Sequence, residues 1–191
     1  DIKYADISGP DGKSDGKVDA FDRTFIGNSF PRYEYSINFN LAYGAFDLNL
    51  FGQGVGKRDN YLAGTGAVPF NSADFVASLL DIHKDFWTPE NREATFPRLL
   101  PAGQGGNNYF TSTHWIRSAS YFRIKNVNLG FRLPEQWLKS VKINSARVYV
   151  SGSNLLTFTK SWDGFDPEID NANAQFYPLM KTFTAGVNIN F

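Results

Sequence analysis

Cysteine is absent from the 191 residues, histidine occurs twice and methionine once. Without cysteine there can be no disulfide staple, thiolate metal centre or Cys nucleophile. The two histidines, His83 and His114, stand far apart and flank no carboxylate at ligand spacing, and His83, on a predicted helix face, is expected to pack rather than bind metal. Charge of one sign is not in excess either. Nineteen Lys and Arg balance nineteen Asp and Glu, which leaves no global field to draw nucleic acid or an anionic surface. No apolar run approaches the roughly 18 residues of a membrane-crossing helix. No signal peptide is recognisable, and the opening reads as that of a mature or truncated chain. The glycine-rich stretch Gly52-Gln53-Gly54-Val55-Gly56 lacks the Lys and the Ser or Thr of a phosphate-binding loop.

Aromatic side chains are abundant: 18 Phe, 9 Tyr and 4 Trp. They suit strands, carbohydrate-binding faces and membrane-interface belts. Their spacing is informative. Tyr33, Tyr35, Ile37, Phe39, Leu41 and Tyr43 occupy the odd positions of one stretch, while Arg32, Glu34, Ser36, Asn38, Asn40 and Ala42 occupy the even ones. Successive side chains of a strand point to opposite faces, so this is a strand with one apolar face. A hairpin turn at Tyr43-Gly44-Ala45 leads to Phe46, Leu48 and Leu50, which resume that face against Asp47 and Asn49. Further strands are predicted over Tyr121 to Leu133, Ala146 to Phe158 and Thr182 to Phe191. In the last, Phe183, Ala185, Val187, Ile189 and Phe191 alternate with Thr184, Gly186, Asn188 and Asn190. Pro134 ends the second long strand, and Glu135 to Val141 suits one helical turn.

Three segments lie outside this pattern. Asp1 to Gly27 is an Asp/Gly-rich loop. Val55 to Ala119 is a long loop with a helix predicted from Ala73 to Phe86, capped by Asn71 or Ser72. Lys160 to Pro178 is a second long loop, rich in Asp, Asn and aromatics. The first carries a possible calcium site, because calcium takes several oxygen ligands at EF-hand spacing. Counting back from Asp22 as position 12, Asp19 falls at 9, the Lys17 carbonyl at 7, Gly16 at 6 and Asp15 at 5. If Pro10 to Ser14 is an insertion, Asp6 takes position 1 and Ser8 position 3. The alternative is a solvated turn in which Asp and Gly serve their backbone preferences. Trp87, Trp115 and Trp162 could stack on sugars, with loop packing as the plainer reading. The carboxylates of Trp162-Asp163-Gly164-Phe165-Asp166-Pro167-Glu168 have no fixed separation across a sugar ring, so no catalytic residue is assigned and no enzyme is expected.

Strands of about ten residues, apolar on one face and polar on the other, joined by alternating short and long connections, fit a transmembrane barrel. They also fit a soluble, secreted β-sandwich that binds glycans. The barrel needs the apolar face to meet lipid; the sandwich needs it buried on a second sheet.

Five segments, in order, carry a family resemblance: Asp1-Ile2-Lys3-Tyr4-Ala5-Asp6 with Asp22-Arg23-Thr24-Phe25-Ile26-Gly27-Asn28; the hairpin Pro31 to Gly54; Phe86-Trp87-Thr88-Pro89-Glu90-Asn91; Ser120-Tyr121-Phe122-Arg123-Ile124-Lys125-Asn126-Val127-Asn128-Leu129-Gly130; and Val148 to Thr159 continued by Gly164-Phe165-Asp166-Pro167-Glu168. Together they resemble the C-terminal portion of SusC/RagA-type TonB-dependent transporters of Bacteroidetes. The resemblance implies an all-β fold, part of a 22-stranded antiparallel outer-membrane barrel, with Val55 to Ala119 and Lys160 to Pro178 as extracellular loops. It implies import of oligosaccharides or peptides, a SusD-type lipoprotein as lid, opening by the TonB complex, and lipid around the barrel. The plug domain and the TonB-contacting segment are absent from this chain. A final strand ending in Phe191 is similar to the signal read by the barrel assembly machinery.

Overall fold

The computed structural model describes residues 1–71, 79–100, 104, 106–169, 176–177 and 179–191. Strands β1 (Tyr33–Tyr43) and β2 (Phe46–Gly56) form a hairpin. Its two-residue turn holds Gly44 at φ 58°, a left-handed conformation that glycine adopts at no steric cost. The chain then passes through β3 (Asp59–Tyr61), the short helix α1 (Gly64–Ala67) and β4 (Ile116–Ser118) before re-entering the sheet as β5 (Tyr121–Arg132). After Pro134 comes the single turn α2 (Glu135–Leu138), extended by a 3-10 turn at Lys139–Val141, as the sequence suggested. Strands β6 (Ser145–Thr159) and β7 (Thr182–Asn190) complete the sheet.

The sheet is five-stranded, in the order β1-β2-β5-β6-β7 with every pair antiparallel, and β3 and β4 pair separately. The connections at one end are the Gly44 turn and the α2 turn. Those at the other are the long segments 57–120 and 160–181. The 11 residues of β1 span about 36 Å, or about 26 Å along a membrane normal at a tilt of roughly 45°, matching a lipid-facing band of about 25 Å.

Register aligns the apolar positions into rows. Tyr43, Phe46, Phe131, Val148 and Val187 are lateral neighbours, and Leu41, Leu48, Leu129, Val150 and Ala185 form the next row. Nearer the loop end the ladder shifts. Lys125 is an extra residue of β5 opposite β2, and Asn154, at φ 55°, lies in the matching irregularity of β6. A bulge of this kind reverses which alternate residues point to a given face. The apolar face of β5 accordingly passes from Val127, Leu129 and Phe131 to Phe122 and Ile124. Phe122 stacks on Tyr35 with the rings nearly parallel, above Gly52 and Gly54.

The apolar face is uncovered: Ile37 is 54% exposed, Val150 54% and Phe183 76%. No second sheet packs on it among the described residues, which does not favour the sandwich alternative. At the loop end, burial occurs on the opposite, polar face, where Val55, Tyr121 and Arg123 are covered. In a barrel that face is the lumen side.

Of the helix predicted over Ala73 to Phe86, residues 73–78 lie outside the described residues, as does the cap candidate Ser72. The described remainder is only a 3-10 turn, Asp81–Lys84.

Candidate functional site

The described residues of the long segments form a layer with its own aromatic core. Leu62, Ala67, Phe96, Trp115 and Trp162 are buried together, with Ile2, Tyr61, Ile82, Phe86 and Phe165 packed around them. Trp115 is fully buried and its indole N–H donates to the Asn108 carbonyl at 2.9 Å. The Arg117 guanidinium stacks on Trp162 at 4.1 Å. Two of the three tryptophans considered for sugar stacking are thus spent on packing, while Trp87 remains partly exposed.

Both histidines belong to this core. His83 meets the edge of Phe96 and His114 the edge of Trp115. His83 Nδ1 accepts from the Leu80 N–H at 3.1 Å, so Nε2 carries the proton it donates to the Gly66 carbonyl at 2.8 Å. Burial pushes the pKa of His83 down. Burial, and then Arg117, push that of His114 down.

The N-terminal segment is stitched to the same layer. Ile2 N–H donates to Asn108, Asn108 donates to Asp1, and Arg98 holds Asp1 through two nitrogens. The Tyr4 hydroxyl, its pKa raised by burial, donates to the Asn107 carbonyl. In the turn after Phe86, Asn91 donates to Asp85 and to the Phe86 carbonyl. Asp85 is held below the usual carboxylate range by the Thr95 hydroxyl and N–H, and then by Asn91.

In the Asp/Gly-rich loop, Pro10 to Ser14 bulges out through a turn closed by Gly12 N–H on the Gly9 carbonyl. This brings Asp6 to Asp15 and Gly16, whose N–H groups, with the Ser14 hydroxyl, donate to its carboxylate. Asp22 accepts from Ile7, Ser8 and Asp19 N–H, and these bonds, that from Asp19 foremost, lower its pKa. Asp15 accepts from Lys17 N–H and Asp19 from Phe21 N–H. The four carboxylates are occupied by backbone donors, and no group of three or more acidic or histidine side chains converges on an ion position among the described residues. The arrangement is a turn pinned by these backbone donors.

Charge is concentrated on the polar face. Arg123, with its side chain 4% exposed, pairs with Asp166 at 2.9 Å and Glu168 at 3.0 Å and donates to the Thr157 hydroxyl. Lys125, the bulge residue, meets Glu168 at 2.6 Å. Arg58 donates to the Pro167 carbonyl at 3.0 Å. The segment Trp162 to Glu168, to which the sequence assigns no catalytic residue, forms with Ile169 a strap fastened to the polar face of the sheet. Sequence reasoning missed this cluster. Its only trace was that Arg123-Ile124-Lys125 and Asp166-Pro167-Glu168 carry opposite charges at the same i, i+2 spacing.

Lower on that face, Asn49 donates to Asn38 and Asn40. Arg147 reaches Asp47 and Asn128. Near the first residues of β1 an open polar groove of about 470 Å³ is lined by Arg32, Lys57, Asp59, Ser118 and Ser120 among others. Phe191 follows β7 and is exposed at the turn end.

No family model matches the chain. It is 34% identical over 98% of its length to TonB-dependent receptor P3 of Formosa agariphila. It is 31% identical over 51% of its length to the TonB-dependent receptor SusC of Bacteroides thetaiotaomicron. The chain spans about a fifth of the first relative and 10% of the second. Among solved structures, the RagAB peptide importer in its closed-closed state superposes with a TM-score of 0.67 at 24% identity, over 96% of this chain and 20% of that one.

Proposed function

Because this chain belongs to the SusC/RagA type of TonB-dependent receptors, as a segment of an outer-membrane β-barrel and not an enzyme, we propose that it forms wall strands and extracellular loops of an importer for oligosaccharides or peptides. The observation that carries this reading is the division of labour between the faces. The apolar face is bare across all five strands, as lipid requires, and the loop layer folds onto the polar side. Transport in this proposal needs the rest of the barrel, a plug, a SusD-type lipoprotein over the loop layer and energy from the TonB complex. The peptide arm is supported by the likeness to a peptide importer, and the oligosaccharide arm by the partly exposed Trp87, an aromatic able to stack on a sugar ring. Growth of the source bacterium on single peptide or oligosaccharide mixtures, with the full-length gene intact or deleted, tests it. Loss of growth on one class, reproduced by removing TonB, supports import; unchanged growth on both contradicts it.

Two lesser proposals attach to this reading. Phe191 is read by the barrel assembly machinery, supported by the alternating strand it follows. Calcium, supported by the oxygen spacing of Asp15, the Lys17 carbonyl, Asp19 and Asp22, would bind the Asp/Gly-rich loop.

A further inference from the structure

We infer that the strap Trp162 to Ile169 is a fixed constriction in the import path, and that Arg123 is the positioning residue that sets how far it projects. Three observations combine. The strap folds onto the polar face of the sheet, which is the inside of a barrel, because its partners Arg123 and Thr157 and the neighbouring Tyr121 all point that way. It is held at several points: Arg123 to Asp166 and Glu168, Lys125 to Glu168, Arg58 to the Pro167 carbonyl, and Asn60 to the Ile169 carbonyl. Its turn at Asp163 and Gly164 is exposed between Trp162 and Phe165, both held by the aromatic core, with Gly164 at φ 80°.

The fastening is of a kind that resists fluctuation. Ion pairs with side chains this little exposed are weakly screened, and releasing one partner leaves a charge uncompensated. Glu168 N–H also donates to Asp166, which fixes the two carboxylates as one unit facing Arg123 and the bulged Lys125. An outward-swinging lid would have no use for such anchoring. A constriction that sets the largest cargo able to pass would.

This rests on the import reading and deepens it. The test uses the full-length transporter in its native membrane and a graded series of cargo lengths. Asp166→Asn with Glu168→Gln should raise the uptake of long cargo relative to short and should increase the mobility of a spin label at Asp163→Cys. Asp163→Trp, which leaves the latch intact, should shift the cut-off towards shorter cargo and keeps the test informative if the first variant fails to assemble. A mobile strap with an unchanged cut-off, or an unchanged cut-off in Asp163→Trp, overturns the constriction. Absence of TonB-dependent uptake in the unmodified protein would instead overturn the import reading itself.

Discussion

Arg147 on β6 passes over Gly130 on β5 to reach the carboxylate of Asp47 on β2, two strands away. A Cβ at Gly130 would stand 2.2 Å from the Arg147 guanidinium, so glycine is what opens the crossing. Asn128 accepts from the same guanidinium at 2.8 Å. Three strands are thereby fixed in register on the lumen side. Gly130→Val should displace Arg147 and lower the urea midpoint for unfolding of the purified barrel, and Arg147→Met should lower it by a similar amount. The double variant should be little worse than either single one, because both remove the same interaction.

The loop layer should loosen on acidification. His83 accepts at Nδ1 and donates at Nε2, and protonation would set a second donor against the Leu80 N–H. Its folded pKa lies below the ordinary value. Between the two values the unfolded layer binds more protons than the folded one, so stability falls as pH drops below about 6.5. Amide protection factors around residues 79–87, corrected for the intrinsic base-catalysed exchange rate at each pH, should fall from pH 7 to pH 5, with His83→Gln reducing the effect. The remainder should track His114, which is shifted in the same direction.

Trp115 is the centre of the aromatic core. Trp115→Ala removes a fully buried ring and should cost the layer roughly 3–5 kcal/mol. Limited proteolysis should then cut within 57–119 while the strands stay protected.

Asp22 ties Ile7, Ser8 and Asp19 together. Asp22→Ala should expose the Asp/Gly-rich loop to protease near Gly12. Because its folded pKa is lowered, its contribution is present above about pH 3.8 and is lost only as pH falls through that lower value. Calorimetric titration with calcium tests the metal proposal on the same variant. Binding that vanishes in Asp22→Ala supports it, and no heat in the unmodified protein contradicts it.

The sequence showed the strands well because two-residue alternation is local. Tyr33 to Tyr43 and Thr182 to Phe191 needed only counting, and the Gly44 turn and the Pro134 stop were equally local. The reversal at Lys125 was hidden, since one extra residue in a ladder is visible only when the partner strand is known. The latch was hidden for a related reason. Arg123 and Asp166 are 43 residues apart, and an arginine on a polar strand face looks like any lumen residue until something covers it. For Trp115 and Trp162 loop packing is already the plainer reading of the sequence, but the partner they pack on, Phe96, becomes visible only once the loop layer closes around it.

The most direct test of the account places one charge on each face at the same height. Ile37 is on the bare apolar face and Asn38, beside it, faces the lumen. In the full-length protein, Ile37→Arg should abolish or strongly reduce folded barrel in the outer membrane, read as the heat-modifiable band on gels, because a charge near the lipid midplane costs about 2–4 kcal/mol. Asn38→Arg should assemble at close to the unmodified level. Normal assembly of Ile37→Arg, with loss for Asn38→Arg, would contradict the assignment of the apolar face to lipid.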